Sequence, residues 1–106
     1  MSKDPAVLLY TGDFLAQCVN LTMEERGLYI TLLCLQHQRG HLDEKTLSLQ
    51  FKGYQITDDV LNLFKSDDNG CLYCEWWEEI IIKRKAYAES RRQNRTGKQR
   101  IKVNNI

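Results

Sequence analysis

The stretch LTMEERGLYITLLCLQHQRG, residues 21–40, carries the strongest structural signal in the chain. Thr22 and Glu25 match a capping box, in which each side chain satisfies a backbone N–H at the start of a helix. Gly40 is suited to the left-handed backbone that follows a last helical turn. We therefore predict a long, buried central helix that begins at Met23. Its predicted apolar face consists of Leu28, Thr31, Leu32 and Leu35, widened by Ile30, Leu33 and Cys34.

Weaker signals flank this helix. Residues 6–10 are an apolar run that predicts a strand or extended piece, ended by a turn at residues 11–13 and packed on the central helix. Downstream, Asp43 is placed to cap a short helix over residues 44–51, which Gly53 stops, and Thr57 is placed to cap a third. Asn69-Gly70 predicts a tight hairpin turn, with a second strand over residues 72–77. Helix, short helix, helix and hairpin is the winged-helix order.

We accordingly predict an α+β, mainly α fold, with a winged-helix-like three-helix core, a small β-hairpin and an extra C-terminal helix. Residues 1–77 form the winged-helix-like domain in this prediction. A basic C-terminal helix follows over residues 78–95, where the apolar spacing becomes helical again. Residues 96–106 are polar and basic, which is typical of a flexible tail or linker.

Length and composition limit the class of protein. A chain of 106 residues with 42% hydrophobic residues suits one domain with a modest core. We see neither an apolar run long enough to span a membrane nor a secretory signal, so we expect a cytoplasmic protein with no membrane partner. In the reducing cytosol the four cysteines are expected to stay thiols.

Charge is divided sharply along the chain. Residues 1–82, the acidic body, contain six Lys/Arg and thirteen Asp/Glu, a net charge of −7. Residues 83–106, the basic arm, contain nine Lys/Arg and a single acid, Glu89, a net charge of +8. The overall charge of +1 conceals this division. Any polyanionic partner should therefore meet the arm first.

The basic arm is the candidate nucleic-acid-binding element. Lysine and arginine neutralise phosphates and release counterions, which gives salt-dependent, sequence-independent affinity for DNA or RNA. Tyr87 is placed to add stacking, whereas the alternative is a solvated tail that only aids solubility. The third helix, with Asp58 and Asp59 at its start, makes a poor reader of the major groove. The predicted phosphate contacts are Lys83, Arg84, Lys85, Arg91, Arg92, Arg95 and Lys98.

Two further groups of residues suggest chemistry. Cys34-x-x-His37 with His41, and Cys71-x-x-Cys74, have spacings that zinc sites use. Against zinc, residues three apart on a strand face opposite sides, so we interpret the cysteines as core residues and predict no metal or cofactor.

No nucleophile, base and orienting group occur together, so we expect no enzyme. The carboxylates of 58–59 and 67–68 are better explained as helix-start and turn residues.

Trp76 and Trp77 are candidate partner-interface residues. On the predicted strand they point to opposite faces, so one is expected in the core and the other on an interaction surface.

Several motifs resemble the YdaU-like family of prophage proteins, a domain of unknown function. The resemblance is carried by residues 4–15, by the run from Leu21 into the Leu-rich helix, by Asn69-Gly70 and Tyr73, and by residues 77–95. It implies a winged-helix-like module similar to phage replication initiators or replisome organisers, followed in those proteins by a region that contacts helicase-loading partners. Cys71 and Cys74 depart from the family pattern, so the resemblance implies no metal. The chain looks like a fragment or a truncated relative.

Two hypotheses remain open at this point. The first is a DNA-associated module of a prophage replication protein, with phosphate contacts through the arm. The second is a protein-interaction or oligomerisation module, in which the acidic body and one tryptophan dock a partner and the arm only links domains. The partner would be a replication protein, such as a helicase or its loader, or a second copy.

Overall fold

The computed structural model describes the backbone of residues 6–104 and the side chains of residues 6–93. Its architecture is α+β and mainly helical, with one small antiparallel hairpin. The elements, in chain order, are α1 Thr11–Gln17, α2 Met23–Arg39, α3 Glu44–Gln50, α4 Asp58–Leu61, β1 Lys65–Ser66, β2 Leu72–Tyr73 and α5 Glu75–Asn104.

Helix α2 is the central helix and begins where predicted. The Thr22 backbone N–H donates to Glu25 Oε1 at 2.8 Å, and the Glu25 N–H donates to Thr22 Oγ1 at 3.2 Å, so both halves of the capping box are present. At the other end, Gly40 has a φ of 85°, a value that suits glycine. The capping residues at both ends of this helix are therefore confirmed.

The buried face of α2 differs in part from the predicted one. It consists of Glu25, Leu28, Tyr29, Leu32, Leu33 and Gln36. Thr31 is exposed, and its hydroxyl donates to the Gly27 carbonyl at 2.7 Å. Cys34 is also exposed, so the prediction that it belongs to the core was wrong. The true face is centred on Tyr29 and Leu33, because neighbouring elements pack on that side of the helix.

The start of the chain corrects the first prediction. Residues 11–13 form the opening turn of helix α1, not a turn that ends a strand. Phe14 on this helix stacks on Tyr29 of α2, with ring centroids 5.4 Å apart. The preceding residues 6–10 form no regular element, and the Ala6 carbonyl accepts a hydrogen bond from Arg84 Nε of α5 at 3.1 Å. The opening segment thus contacts the last helix as well as the core.

Helices α3 and α4 are short. Asp43 caps α3 as predicted, because its side chain accepts the Thr46 N–H at 2.8 Å. Helix α4 is a single turn, shorter than the predicted third helix. Thr57 precedes it but makes no side-chain cap, since its hydroxyl donates to Glu25 Oε2 at 2.5 Å instead. That bond joins α4 to the start of α2.

The hairpin forms at the predicted turn. Lys65 pairs with Tyr73 and Ser66 with Leu72, and Gly70 takes a φ of 79° between the strands. Leu42, between α2 and α3, forms an additional antiparallel bridge to Leu72. The second strand ends at Tyr73, four residues earlier than predicted, because Glu75 already begins α5.

The core lies between α2 and the elements that pack on it. Its buried apolar residues include Tyr29, Leu32, Val60 and Phe64, together with Trp77 and Ile81 from the start of α5. Tyr29 and Phe64 meet edge to face at 5.8 Å. None of the helices in the described part of the chain combines the length and apolarity needed to cross a membrane.

Helix α5 begins three residues before the predicted start at residue 78 and extends past the predicted end at residue 95. The backbone of residues 96–104, which were predicted as part of a flexible tail, continues this helix. Residues 105–106 and the side chains from residue 94 onward lie outside the described residues, and the flexibility of the tail stays a prediction.

Candidate nucleic-acid interface

The basic arm is held by a buried junction at the start of α5. The Gln36 side chain, 2% exposed, accepts the Cys74 N–H at 2.7 Å and donates to the Cys74 carbonyl at 3.2 Å. One turn further on, Trp77 Nε1 donates to the Leu33 carbonyl at 2.7 Å. Both contacts join α5 to α2, so the direction in which the arm leaves the core is set by packed, hydrogen-bonded groups.

A histidine joins three elements beside this junction. His41 Nδ1 lies 2.6 Å from Asp67 Oδ2, and its Nε2 lies 2.5 Å from Glu78 Oε1. The imidazole stacks on Tyr73, with ring centroids 4.3 Å apart. A ring with a carboxylate at each nitrogen needs a hydrogen on both, which favours the imidazolium form. The Asp67 hydrogen bond is the main cause of a raised His41 pKa, although desolvation opposes it.

Three predicted phosphate contacts lie near the Tyr87 ring or the groove that it lines. The guanidinium carbons of Arg84 and Arg91 lie 5.6 and 5.8 Å from the Tyr87 ring centroid, within the range of cation–π attraction. Lys83 lines the groove that Arg84 and Tyr87 also line. Residues 80, 84, 87 and 91 recur at helical spacing, so they share one face of α5. Arg91 and Lys83 are exposed.

The remaining predicted cations are spread over other positions. Lys85 is exposed and lines a separate depression with the end of α2. Arg92 lies two helical turns further along, and its Nη1 is 3.3 Å from Glu89 Oε2. Arg95 and Lys98 lie outside the residues whose side chains are described. The structure therefore groups Lys83, Arg84 and Arg91 around Tyr87 and separates Lys85 and Arg92 from them.

The tryptophan prediction requires correction. Trp76 and Trp77 lie in the first turn of α5, so they do not face opposite sides of a strand. Trp77 is 3% exposed and belongs to the core, which rules it out as an interface residue. Trp76 is half-buried, packs against the core and donates from Nε1 to the Tyr29 hydroxyl at 3.1 Å. Trp76 is thus committed to an internal contact as well.

The cysteines are distributed rather than clustered. Cys18 and Cys74 are buried, Cys71 is half-buried and Cys34 is exposed on α2. Burial raises the pKa of Cys74, and its Sγ lies 4.0 Å from the Tyr29 hydroxyl. Across the described side chains, no three His, Cys, Asp or Glu groups come together as a set able to hold a metal ion.

Acidic side chains occupy the positions predicted for them. Asp58 and Asp59 are exposed in the first turn of α4, where carboxylates favour the helix N-terminus. Asp67 Oδ1 accepts the N–H groups of Asn69 and Cys71 at 2.8 and 2.9 Å. The hydrogen bond with His41 is the main cause of a lowered Asp67 pKa, and these backbone hydrogen bonds lower it further. Asp67 is therefore a turn residue and also the partner of His41.

One feature of this site was missed in the sequence analysis. Leu8 and Tyr10 of the opening segment line a groove of about 330 Å³ with Ile80, Lys83, Arg84 and Tyr87 of α5. Leu8 and Tyr10 remain 57% and 52% exposed, which is unusual for an apolar run. No signal within residues 6–10 indicated this groove, because its other side belongs to α5, near the far end of the sequence.

Neither a protein family, nor a curated protein, nor a solved structure matches this chain in comparisons with known proteins.

Proposed function

We propose that the protein is a cytoplasmic, non-catalytic, DNA-associated module that contacts phosphates through the cations of α5. The observation that carries this proposal is the position of the cations. Exposed Lys83, Lys85 and Arg91 project from a helix that a buried junction ties to an acidic body. Positive charge on a positioned helix attracts a polyanion, while the net charge of the body repels it.

The finer assignment of the fold belongs to the same proposal. We propose a winged-helix-like arrangement of α2, α3 and α4 with β1 and β2 as the wing. The order of these elements supports it. The bridge from Leu42 to Leu72 supports it as well, because it adds a strand position between α2 and α3. The single turn of α4, with Asp58 and Asp59 exposed, favours binding through α5 over readout by a recognition helix. A relationship to YdaU-like prophage replication proteins is part of this proposal.

Salt dependence of binding tests the DNA proposal. Affinity for a generic duplex should fall as salt rises, with a slope that reports the number of phosphates contacted. In the Lys85→Glu/Arg91→Glu variant we expect that slope to become shallower by about 2, since each phosphate contact contributes about 0.9. The measurement is fluorescence anisotropy of a labelled duplex across a salt series.

A matched control separates local contact from net charge. Lys45 and Lys52 are exposed cations of the acidic body, and the Lys45→Glu/Lys52→Glu variant changes the net charge equally. We expect it to keep most of the wild-type slope. Equal losses in both double variants would contradict phosphate contact by α5, and the absence of wild-type binding at low salt would refute the function.

A protein-interaction role is the second candidate, and exposed apolar side chains near the start of α2 favour it. Met23 and Val19, 76% and 71% exposed, are the most exposed large apolar side chains among the described residues, and Leu15 is 58% exposed nearby in sequence. Exposed apolar side chains of this size are typical of partner surfaces when they lie together. Under this hypothesis the Val19→Asp/Met23→Asp variant abolishes self-association or capture of a replication partner, and the Lys85→Glu/Arg91→Glu variant leaves it intact. Sedimentation velocity of each variant measures the self-association.

A further inference from the structure

Tyr10 and Tyr87 line the same groove although they belong to opposite ends of the chain. Both are 52% exposed, so each ring offers surface to a ligand. Leu8 and Ile80 supply apolar lining between the opening segment and α5. The volume, about 330 Å³, lies at the lower end of the range for small-molecule sites.

A hydrogen bond joins the two sides of the groove. Arg84 Nε donates to the Ala6 carbonyl at 3.1 Å, which ties the opening segment to α5. The same guanidinium lies near the Tyr87 ring, and Arg91 approaches that ring from the next turn. Two aromatic rings, the Arg84 guanidinium and the Lys83 ammonium therefore lie along one apolar groove, and Arg91 lies beside it near the Tyr87 ring.

This combination suits an unpaired nucleotide. Aromatic rings and guanidinium planes stack on bases, while the surrounding cations follow the phosphates, which is how non-specific single-strand binders work. A base inside a duplex is already stacked on both faces, so only an unpaired base can enter the groove. An acidic peptide would satisfy the cations but would not use the exposed ring surface of Tyr10 and Tyr87.

We propose that the groove between residues 8–10 and α5 binds the bases of single-stranded DNA, with Tyr10 and Tyr87 as stacking residues. This proposal rests on the proposed function and names the form of DNA that the same site prefers. The ligand is DNA because the proposed function assigns DNA to the cations of α5. The ribose 2′-hydroxyl is the group that distinguishes RNA, so an RNA oligonucleotide is included in the test.

The test compares labelled oligo-thymidylate with a duplex of equal length, using the full chain. We expect tighter binding to the single strand. Tyr87→Leu and Tyr10→Leu should each weaken that binding by at least about 5-fold, the lower end for loss of one base–aromatic stack. The salt slope should stay at its wild-type value in both variants, since no phosphate contact is lost. Tyr87→Phe keeps the ring and should bind like the wild type.

Tyr54→Leu is the matched control, because Tyr54 is 64% exposed and does not line this groove. We expect no change in affinity from it. If both groove variants keep their affinity for the single strand and the wild-type protein binds the duplex, the groove proposal is overturned and the proposed function stands. Wild-type protein that binds neither ligand overturns both. Tighter binding to oligo-uridylate than to oligo-thymidylate would also overturn the assignment to single-stranded DNA. So would displacement of oligo-thymidylate by poly-glutamate of equal charge.

Discussion

At the scale of single residues, His41 has the most distinctive surroundings in the described part of the chain. Two carboxylates, 26 and 37 residues away in sequence, bind its two ring nitrogens. These contacts connect the loop after α2 with the hairpin turn and with the first turn of α5. The stability of that connection should therefore depend on the protonation state of one ring.

The direction of this pH dependence follows from the raised pKa of His41. Because the folded protein binds the proton more tightly than the unfolded chain, the extra stability is fully present below the unfolded pKa of about 6.5. It is lost as the pH rises through the higher folded pKa. The Asp67 carboxyl remains ionised throughout that window, since the His41 hydrogen bond lowers its pKa further below the neutral range.

We predict that His41→Gln lowers the free energy of unfolding by about 1–2 kcal/mol near pH 6, where charge-assisted hydrogen bonds are lost. The loss should be smaller near pH 9, where the wild-type ring is more often neutral. Urea denaturation at about pH 6 and about pH 9 measures both values. His37→Gln is the control, because the described partner of His37 is the neutral amide of Gln38. A His41→Gln effect that does not vary with pH would contradict the imidazolium assignment.

At the scale of elements, α2 shows how a local signal and long-range packing combine. Its start depends on the Thr22 and Glu25 pair, which the sequence contains within four residues. The Glu25 carboxylate also accepts the Thr57 hydroxyl, so the same side chain connects α2 to α4. These hydrogen bonds lower the pKa of the Glu25 carboxyl.

Removal of the cap should have a measurable cost. We predict that Thr22→Ala lowers the free energy of unfolding by about 1 kcal/mol, the usual cost of losing an N-cap side chain. Thr31→Ala is the matched control on the same helix, because the Thr31 hydroxyl only donates back to the Gly27 carbonyl. Such back-bonding contributes little to helix stability. Thermal denaturation followed by circular dichroism compares the two, and equal losses would argue against the capping box as the source.

At the scale of the whole molecule, the junction between α2 and α5 decides where the positive charge lies relative to the acidic body. Gln36 and Trp77 form this junction with Cys74 and Leu33. The charge division itself is a property of the sequence. The junction, in turn, sets the direction in which the positively charged helix leaves the core.

We predict that Gln36→Leu destabilises the fold by about 1–3 kcal/mol, because the buried Cys74 N–H loses its partner. The Cys74 carbonyl still accepts the Glu78 N–H at 2.9 Å, which limits the cost. Gln38→Leu, at an exposed position of the same helix, should change stability little. Below the melting temperature, duplex affinity should match that of the wild type, since Trp77 still joins α5 to α2 and no cation is altered. A large loss of affinity in the folded variant would mean that Trp77 alone does not hold α5 in its binding position.

Much of the fold was predicted from signals that lie within a few residues of one another. The cap at Thr22, the cap at Asp43, the turn at Asn69-Gly70 and the mainly helical α+β class are confirmed. The opening helix at Thr11 and the start of α5 at Glu75 were not predicted. Both segments combine apolar and aromatic residues that suit a strand as well as a helix, and packing against the core decides between the two.

The candidate site divides in the same way. The sequence alone determined that positive charge is concentrated after residue 82 and that Tyr87 lies among those cations, because charge and spacing are properties of the chain itself. Only the tertiary structure decided that Tyr10 lies beside Tyr87, that His41 joins Asp67 to Glu78, and that Trp77 is buried. These contacts join residues from distant parts of the chain, and their positions depend on how the helices pack around α2, which no local pattern records.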